Sequence, residues 1–464
     1  MNSMNTTYAI WLCRPTGERV VLLSRFLRLE YRRAVNSTGY RVDTNGTRHW
    51  PLTLVLAWRD LPVWVSGSLR RDWRLEVWRG AGDGLLALDT ETVWLIARVS
   101  QQVQNDGERV IEVKAVPALA LLERRIVAYA TGTPQAQKSG PADDLMRAIV
   151  RENFGSDAAA GRNVSAWLRV PSLADDTGAG AEVSKSFARR AVLDVLQELA
   201  EASAERGVAL FFDVVCRHDG ALPLLRFETY AQVRGADLAR GNERGLPPVV
   251  LSLETGSLVG VRRTQDWSET ITTVYVAGQG AKDARQVVEV ADGARAEQVP
   301  FGRYERLVDA RHTSVADDLA HEGYAALRAG VARDEVRGRI VSREPGFVYG
   351  RDWRFGDRVS VEFDGETLDC RVDAVDVVIT PERETVFAEV RGSLATTVGS
   401  EDRWTVRAQP APTQETEQVF QQVQQLGIPA GEYVYVPDGG QVVALGCYDV
   451  AGGLDVAGEV RVGA

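Results

Sequence analysis

The sequence predicts a mainly β fold with an α+β insertion, built around two similar small β-barrels. Three observations lead there. Residues Trp353–Gly392 form a strand meander, a fainter version of it lies near the other end of the chain, and between Pro134 and Gly245 the apolar period changes from two to helical.

In the meander, apolar residues alternate at Val359, Val361 and Phe363, and Asp364-Gly365 follows where a tight turn is needed. A second run rises through Cys370, Val372, Val375 and Val377. It turns at Thr380-Pro381-Glu382 and returns through Val386, Phe387 and Val390. Period-two patterning bounded by turn residues describes short antiparallel strands with one buried face. The earlier copy runs Arg71-Asp72-Trp73-Arg74, strands, Arg98-Val99, a hairpin and Val110–Lys114. The later one runs Arg351-Asp352-Trp353-Arg354, strands, Arg371-Val372, a hairpin and Val386–Arg391. This is either a structural duplication or the alternation that any two meanders share.

In chain order, 1–130 reads as the first part of the first barrel, with turn chemistry at Pro15-Thr16-Gly17 and Asn105-Asp106-Gly107. Seven of the eleven tryptophans precede residue 95, which suits a small β core, the alternative being a carbohydrate-binding face. Residues 131–245 form the inserted α+β domain. One helix starts at Pro141 with Asp143 and Asp144 in its first turn, a second spans Ser186–Arg206 with Gly207 as its cap, and a hairpin turns at His218-Asp219-Gly220. Asp157–Gly161 and Ala174–Gly180 are expected to be mobile loops. Residues 246–280 are expected to return to the first barrel and 281–335 to be a connecting helical region, its helix opened by Ser314 and Asp317. The second barrel takes 336–404. Residues 405–464 hold a linker (407–414), a Gln-rich helix (415–426) and a β tail.

With 464 residues, about three domains are expected. The composition, 45% hydrophobic and 25% charged, is that of a globular protein, and no run approaches the ~20 apolar residues of a membrane helix. The polar stretch Met1–Thr7 leads into a strand, so no signal peptide is expected, and the four Asn-x-Ser/Thr sequons lack a secretory context. A net charge of -10 disfavours a general nucleic-acid binder. Cys13, Cys216, Cys370 and Cys447 are widely spaced in or beside apolar runs, which indicates neither zinc nor a disulfide framework.

No catalytic residue, cofactor site or metal site is expected. His49, His218, His312 and His321 are scattered, and His321-Glu322 does not continue as a zincin motif. Ser184-Lys185-Ser186 lacks the preceding glycine of a phosphate loop and reads as the lead into a helix. Gly80-Ala-Gly-Asp-Gly84 opens no βαβ unit, and paired acids such as Asp143/Asp144 and Asp317/Asp318 suit first helical turns.

Taken together, Tyr8-Ala-Ile-Trp-Leu-Cys-Arg-Pro-Thr-Gly-Glu-Arg-Val20, the Asn36-Ser-Thr-Gly turn, Arg71–Arg79, Ala118–Arg125 and Phe355-Gly-Asp-Arg-Val-Ser-Val361 resemble the tail-tip or baseplate hub proteins of long-tailed siphophages over roughly residues 8–400. The resemblance implies a non-enzymatic structural protein of the virion, synthesised in the host cytoplasm and placed at the tail tip. It implies two barrels of tail-tube kind per chain and a homotrimer whose six barrels match a hexameric tube on one side and a threefold tip on the other. Implied partners are a distal tail or tail-tube protein, tail fibre or other tip proteins and the tape-measure protein, with DNA only as passing cargo and no membrane. A receptor- or cell-wall-glycan-binding tail protein is the alternative. In the Gln-rich segment, Val419, Val423 and Leu426 form a narrow stripe that suits either a three-helix bundle on the symmetry axis or docking on its own chain.

Overall fold

The computed structural model describes residues 7–409, with short gaps at 24, 81–84, 104–106, 129–135, 188, 219–222, 240, 242–246, 281–284, 312, 332, 343–345 and 395–403. It also describes 433–436, 441–445, 453–456 and 459–463. The chain divides into two compact units. One comprises Met1–Thr272, Asp292–Tyr304 and Tyr324–Trp404; the other comprises Thr273–Ala291, Glu305–Gly323 and Thr405–Ala464.

The first stretch supplies β1 (Thr7–Cys13), β2 (Arg19–Leu22), β3 (Arg28–Ala34), β4 (Leu52–Ala57), β5 (Arg74–Gly80), β6 (Ala87–Val103) and β7 (Arg109–Pro117). The insertion contributes α1 (Ala142–Phe154), α2 (Val192–Glu205), β8 (Leu210–Arg217) and β9 (Leu224–Ala231). Strands β10 (Val250–Ser252) and β11 (Leu258–Asp266) follow. Next come β12 (Thr273–Ala277), β13 (Val287–Ala291), β14 (Glu305–Asp309) and α3 (Ala316–Ala329). The meander then supplies β15 (Arg333–Val341), β16 (Arg358–Phe363), β17 (Glu366–Ile379) and β18 (Glu384–Leu394), and β19 (Thr405–Gln409) ends the continuous part.

One thirteen-stranded sheet runs in the order β11-β15-β18-β17-β3-β4-β7-β6-β5-β1-β2, with β16 pairing β17 and β10 pairing β16. The order contains the same arrangement twice. Strands β3, β4, β5, β6 and β7 lie as β3-β4-β7-β6-β5, and β11, β15, β16, β17 and β18 lie as β11-β15-β18-β17-β16. The agreement extends to single residues. In β6 the ladder with β7 skips one residue between Ile96 and Arg98, then runs from Arg98 opposite Lys114 to Val103 opposite Arg109. In β17 the ladder with β18 skips one residue between Val372 and Ala374, then runs from Ala374 opposite Glu389 to Ile379 opposite Glu384. A bulge bends a strand and increases its twist, so a long strand broken at the same point turns the same corner in both halves. The duplication is therefore structural.

One expectation about these strands is corrected. Residues 246–280 do not return to the first half: β10 pairs β16 and β11 pairs β15, both in the second. The local alternation that identified these strands carries no information on which distant edge they join.

Both halves contribute to one apolar core, with Leu12, Leu54, Trp94 and Ile111 from the first and Ile340, Trp353, Val361 and Val375 from the second. The tight turn at Asp364-Gly365 has φ of 55° and 77°, the left-handed pair that a two-residue hairpin requires. Of the seven early tryptophans, Trp94 is buried, Trp64 is exposed and the rest are partly covered by packing.

The insertion has its own core, in which Met146, Ile149, Phe154, Leu196, Leu199, Phe212 and Phe227 meet. Helix α1 starts after Pro141 as expected. Its first-turn acids do more than cap, because Asp143 accepts from Gly180 N (2.7 Å) and Asp144 from Thr177 N (2.9 Å). The loop expected to be mobile is thus held at 177–180. Helix α2 is shorter than its pattern, since Glu182–Phe187 is a strand paired with Ala136–Pro141, and Ser184-Lys185-Ser186 lies within it. Gly207, at φ 86°, closes α2 by donating to Ala204 O at 2.9 Å.

The second unit is a small sheet in the order β14-β12-β13-β19, so 281–335 contributes strands as well as a helix, and 405–409 is a strand. The start of α3 is organised by Thr313, whose hydroxyl accepts from Val315 N at 3.1 Å and donates to Asp318 at 2.9 Å. Its side chain therefore takes the role expected of Ser314. Strands 433–436 and 441–445 pair in parallel with 453–456 and 459–463.

Trp353 is 1% exposed and its ring lies 5.0 Å from that of Tyr349. Trp353→Ala should cost about 3–5 kcal/mol through lost burial and the cavity left behind. A denaturant midpoint lowered to match, monitored on the first unit, is the expected result.

Candidate assembly interface

The joint between the two halves is the structural feature on which function bears most directly. Past its bulge, β17 leaves β16 and takes β3 as its neighbour, running antiparallel from Ala374 opposite Ala34 to Ile379 opposite Leu29. On the surface of this joint Arg32 donates to Asp376 (2.5 Å) and Glu389 (2.9 Å). Both pairs are partly exposed, so they set register more than they add stability.

Beneath the joint lie two buried polar networks. In the first, Arg33 donates through one nitrogen to both oxygens of Asp213 (2.6 and 2.7 Å), and Arg234 donates to the same carboxylate at 2.8 Å. Arg33 also reaches Thr92 Oγ1 at 2.9 Å. The ring of Phe355 lies under both guanidinium groups, 5.4 Å from that of Arg33 and 4.6 Å from that of Arg234. One carboxylate thus ties β3, the insertion strand β8 and the Gly-Asp-Arg-Val loop of the second half. Burial alone would push the Asp213 carboxyl up, yet Arg33 and Arg234 hold it below its ordinary range.

In the second network Asp89 accepts from Tyr31 (2.7 Å) and Tyr349 (2.8 Å), one hydroxyl from each half. Burial raises the Asp89 pKa despite those donors. Arg79 donates to Tyr349 O at 2.6 Å and to Glu384 at 2.8 Å, and Tyr8 closes the ring by donating to Glu384. The backbone permits this by an unusual bend: Thr90 and Glu91, directly after Asp89, have φ of 52° and 55°. For a β-branched residue such as Thr90 that conformation is costly, and the surrounding contacts must maintain it.

A third cluster joins residues that are scattered in the sequence. Cys216 Sγ lies 3.6 Å from His218 Nε2, which is 3.8 Å from Glu76 Oε2. Arg19 donates to Glu76 at 3.3 Å from between the rings of Trp11 and Trp78. The Glu76 carboxylate is held by its ion pair with Arg19 and by a hydrogen bond from Trp78 Nε1 at 2.9 Å. Burial pushes the Cys216 and Cys370 thiols up to about 12 and the Cys13 thiol higher still, which disfavours the thiolate. Val419, Val423 and Leu426, and the Gln-rich segment that holds them, lie outside the described residues, as does Cys447.

Several strand segments of the large sheet pair on one side only among the described residues, 98–103 and β11 among them. Residues 98–103 of β6 pair with β7, while pairing of β6 to β5 ends at Leu95. Strand β11 pairs only with β15. Such edges present rows of backbone donors and acceptors to any suitable partner strand.

The family described as Siphovirus ReqiPepy6 Gp37-like protein matches residues 77–390. The chain belongs to this siphovirus family. Solved structures similar to it include phage tail proteins. A tail protein from Neisseria meningitidis MC58 has 13% identity and a TM-score of 0.43, the match covering 84% of this chain and 97% of that one. The 43 kDa tail protein of prophage MuSo2 from Shewanella oneidensis has 11% identity and a TM-score of 0.46, over 83% and 98%. Prophage tail protein gp18 from Listeria monocytogenes EGD-e has 10% identity and a TM-score of 0.41, over 85% and 97%. No curated protein sequence matches this chain.

Asp213→Ala leaves two buried guanidinium groups uncompensated and should cost about 3–5 kcal/mol. The pH dependence follows from the lowered carboxyl pKa. Asp213 stabilises the fold above the ordinary aspartate pKa of about 3.9, and that contribution is lost as pH falls through the lower folded value. Denaturant midpoints measured from pH 5 downward should therefore fall less steeply in Asp213→Asn than in the parent chain.

Proposed function

We propose that the protein is a non-enzymatic homotrimeric tail-tip hub, which joins the hexameric tail tube to the threefold tip and forms part of the channel between them. The observation that carries this reading is the duplicated half-sheet, with the same strand order and the same bulge in both copies. Three chains then offer six equivalent half-sheets to a sixfold tube while keeping only threefold symmetry elsewhere, which reconciles two symmetries that cannot otherwise share one interface. Membership of the siphovirus family supports placing that symmetry change in a phage tail.

In this reading the partners are two further copies of the chain, a distal tail or tail-tube protein, tail fibre or other tip proteins, and the tape-measure protein. DNA is passing cargo. A glycan-binding role draws little support from the early tryptophans, since only Trp64 of the seven is exposed. The buried networks serve to fix the two halves in one orientation, because a ring of six positions tolerates little variation in the angle between neighbours.

Light scattering on the purified full-length chain should give about 150 kDa, three times the 50.8 kDa of one chain. Reconstruction of the intact particle should place three copies at the tail tip. A location elsewhere in the virion would overturn the proposal.

A further inference from the structure

Glu76, Cys216 and His218 bring a carboxylate, a thiol and an imidazole together from the first half of the sheet and the insertion. We propose that these three side chains bind one zinc ion, which clips the insertion hairpin to β5. The site lies within one chain and does not depend on the trimer.

The strands place the donors. Glu76 stands on β5 opposite Trp11, and Trp78 follows two residues later on the same face. Cys216 lies near the end of β8 and His218 just past it, and their side chains meet. The three ligand atoms lie within 4.8 Å of one another. A tetrahedral zinc ion with bonds of about 2.0–2.3 Å separates neighbouring donors by about 3.3–3.6 Å. The 3.6 Å from Cys216 Sγ to His218 Nε2 is such an edge, and the 3.8 Å from His218 Nε2 to Glu76 Oε2 is close to one. Thiolate, imidazole and carboxylate together suit zinc, whereas calcium and magnesium take oxygen donors.

A second observation points to a cation. The Glu76 side chain is fully buried, and its Oε1 has no hydrogen-bond partner, although Oε2 is held by Arg19 and Trp78 Nε1. An unmatched buried carboxylate oxygen is costly, and a bound cation offsets that cost. Trp78 also meets the His218 ring edge-on, with centroids 4.9 Å apart, so one indole orients two of the three ligands. His218, with 27% of its side chain exposed, gives ions a way in. As the sulfur–zinc bond forms, the Cys216 proton passes to solvent, and the thiolate and the Glu76 carboxylate then balance the charge of the ion. Arg19 stays on the carboxylate as an outer partner, and three protein ligands leave the fourth position to water.

Zinc titration of the full-length chain, first stripped with a chelator, should give one ion bound per chain. Cobalt in its place should show a thiolate-to-cobalt charge-transfer band. His218→Gln and Cys216→Ser should each weaken zinc binding by about a hundredfold or more, and Cys216→Ser should also remove the band. His218 is partly exposed, so His218→Gln tests the site without disturbing the core. Zinc should raise the thermal midpoint of the parent and leave that of His218→Gln where it was. Cys370→Ser and Cys447→Ser, which lie outside the ligand set, should bind zinc as the parent does. Binding that survives both site substitutions, or that disappears with Cys447→Ser, would overturn the site, as would a stripped parent chain that takes up no zinc.

Discussion

The pairing of β17 with β3 is the constraint on which the rest of the molecule depends. A single strand serves both halves of the sheet because a one-residue bulge redirects it after Val372. Before the bulge it belongs to its own meander; after it, β17 completes the edge of a half-sheet made more than three hundred residues earlier. The large core, the tyrosine pair on Asp89 and the stacking of Arg33 on Phe355 all presuppose that joint.

The polar interior follows from the same constraint. Where two curved sheets and an inserted domain meet, apolar packing alone leaves their relative rotation weakly defined, whereas a carboxylate held by two guanidinium groups admits few orientations. Asp213, Arg33 and Arg234 come from three regions of sequence and are all nine-tenths buried or more. The arginines Arg33 and Arg234 make multidentate contacts here that lysine could not replace.

The legible parts of the fold were those encoded locally. Val359, Val361 and Phe363 with Asp364-Gly365 specify a hairpin wherever they occur, and Pro141 with two acids specifies a helix start. The echo between Arg71–Lys114 and Arg351–Arg391 was visible in outline, while its proof lay in two skipped residues, Ala97 and Asp373, that no alternation pattern marks. The predicted helix from Ser186 overlaps the end of strand Glu182–Phe187, because a short polar–apolar pattern satisfies either period. The partners of β10 and β11 were illegible in the local pattern, since pairing between distant strands depends on the whole sheet.

The separation of β3 from β17 in the chain has a consequence for biosynthesis. A ribosome adding about 5–20 residues per second needs roughly 20–70 s to make the residues between them. Throughout that interval β3 is finished but lacks its neighbour, and on a polysome the nearest complementary strand can belong to another nascent chain. Mispairing at this stage would yield strand-swapped chains. The insertion, made during this interval, offers a safeguard. Asp213 emerges before β17 and can engage Arg33 early, fixing the end of β3 and holding it for its own chain.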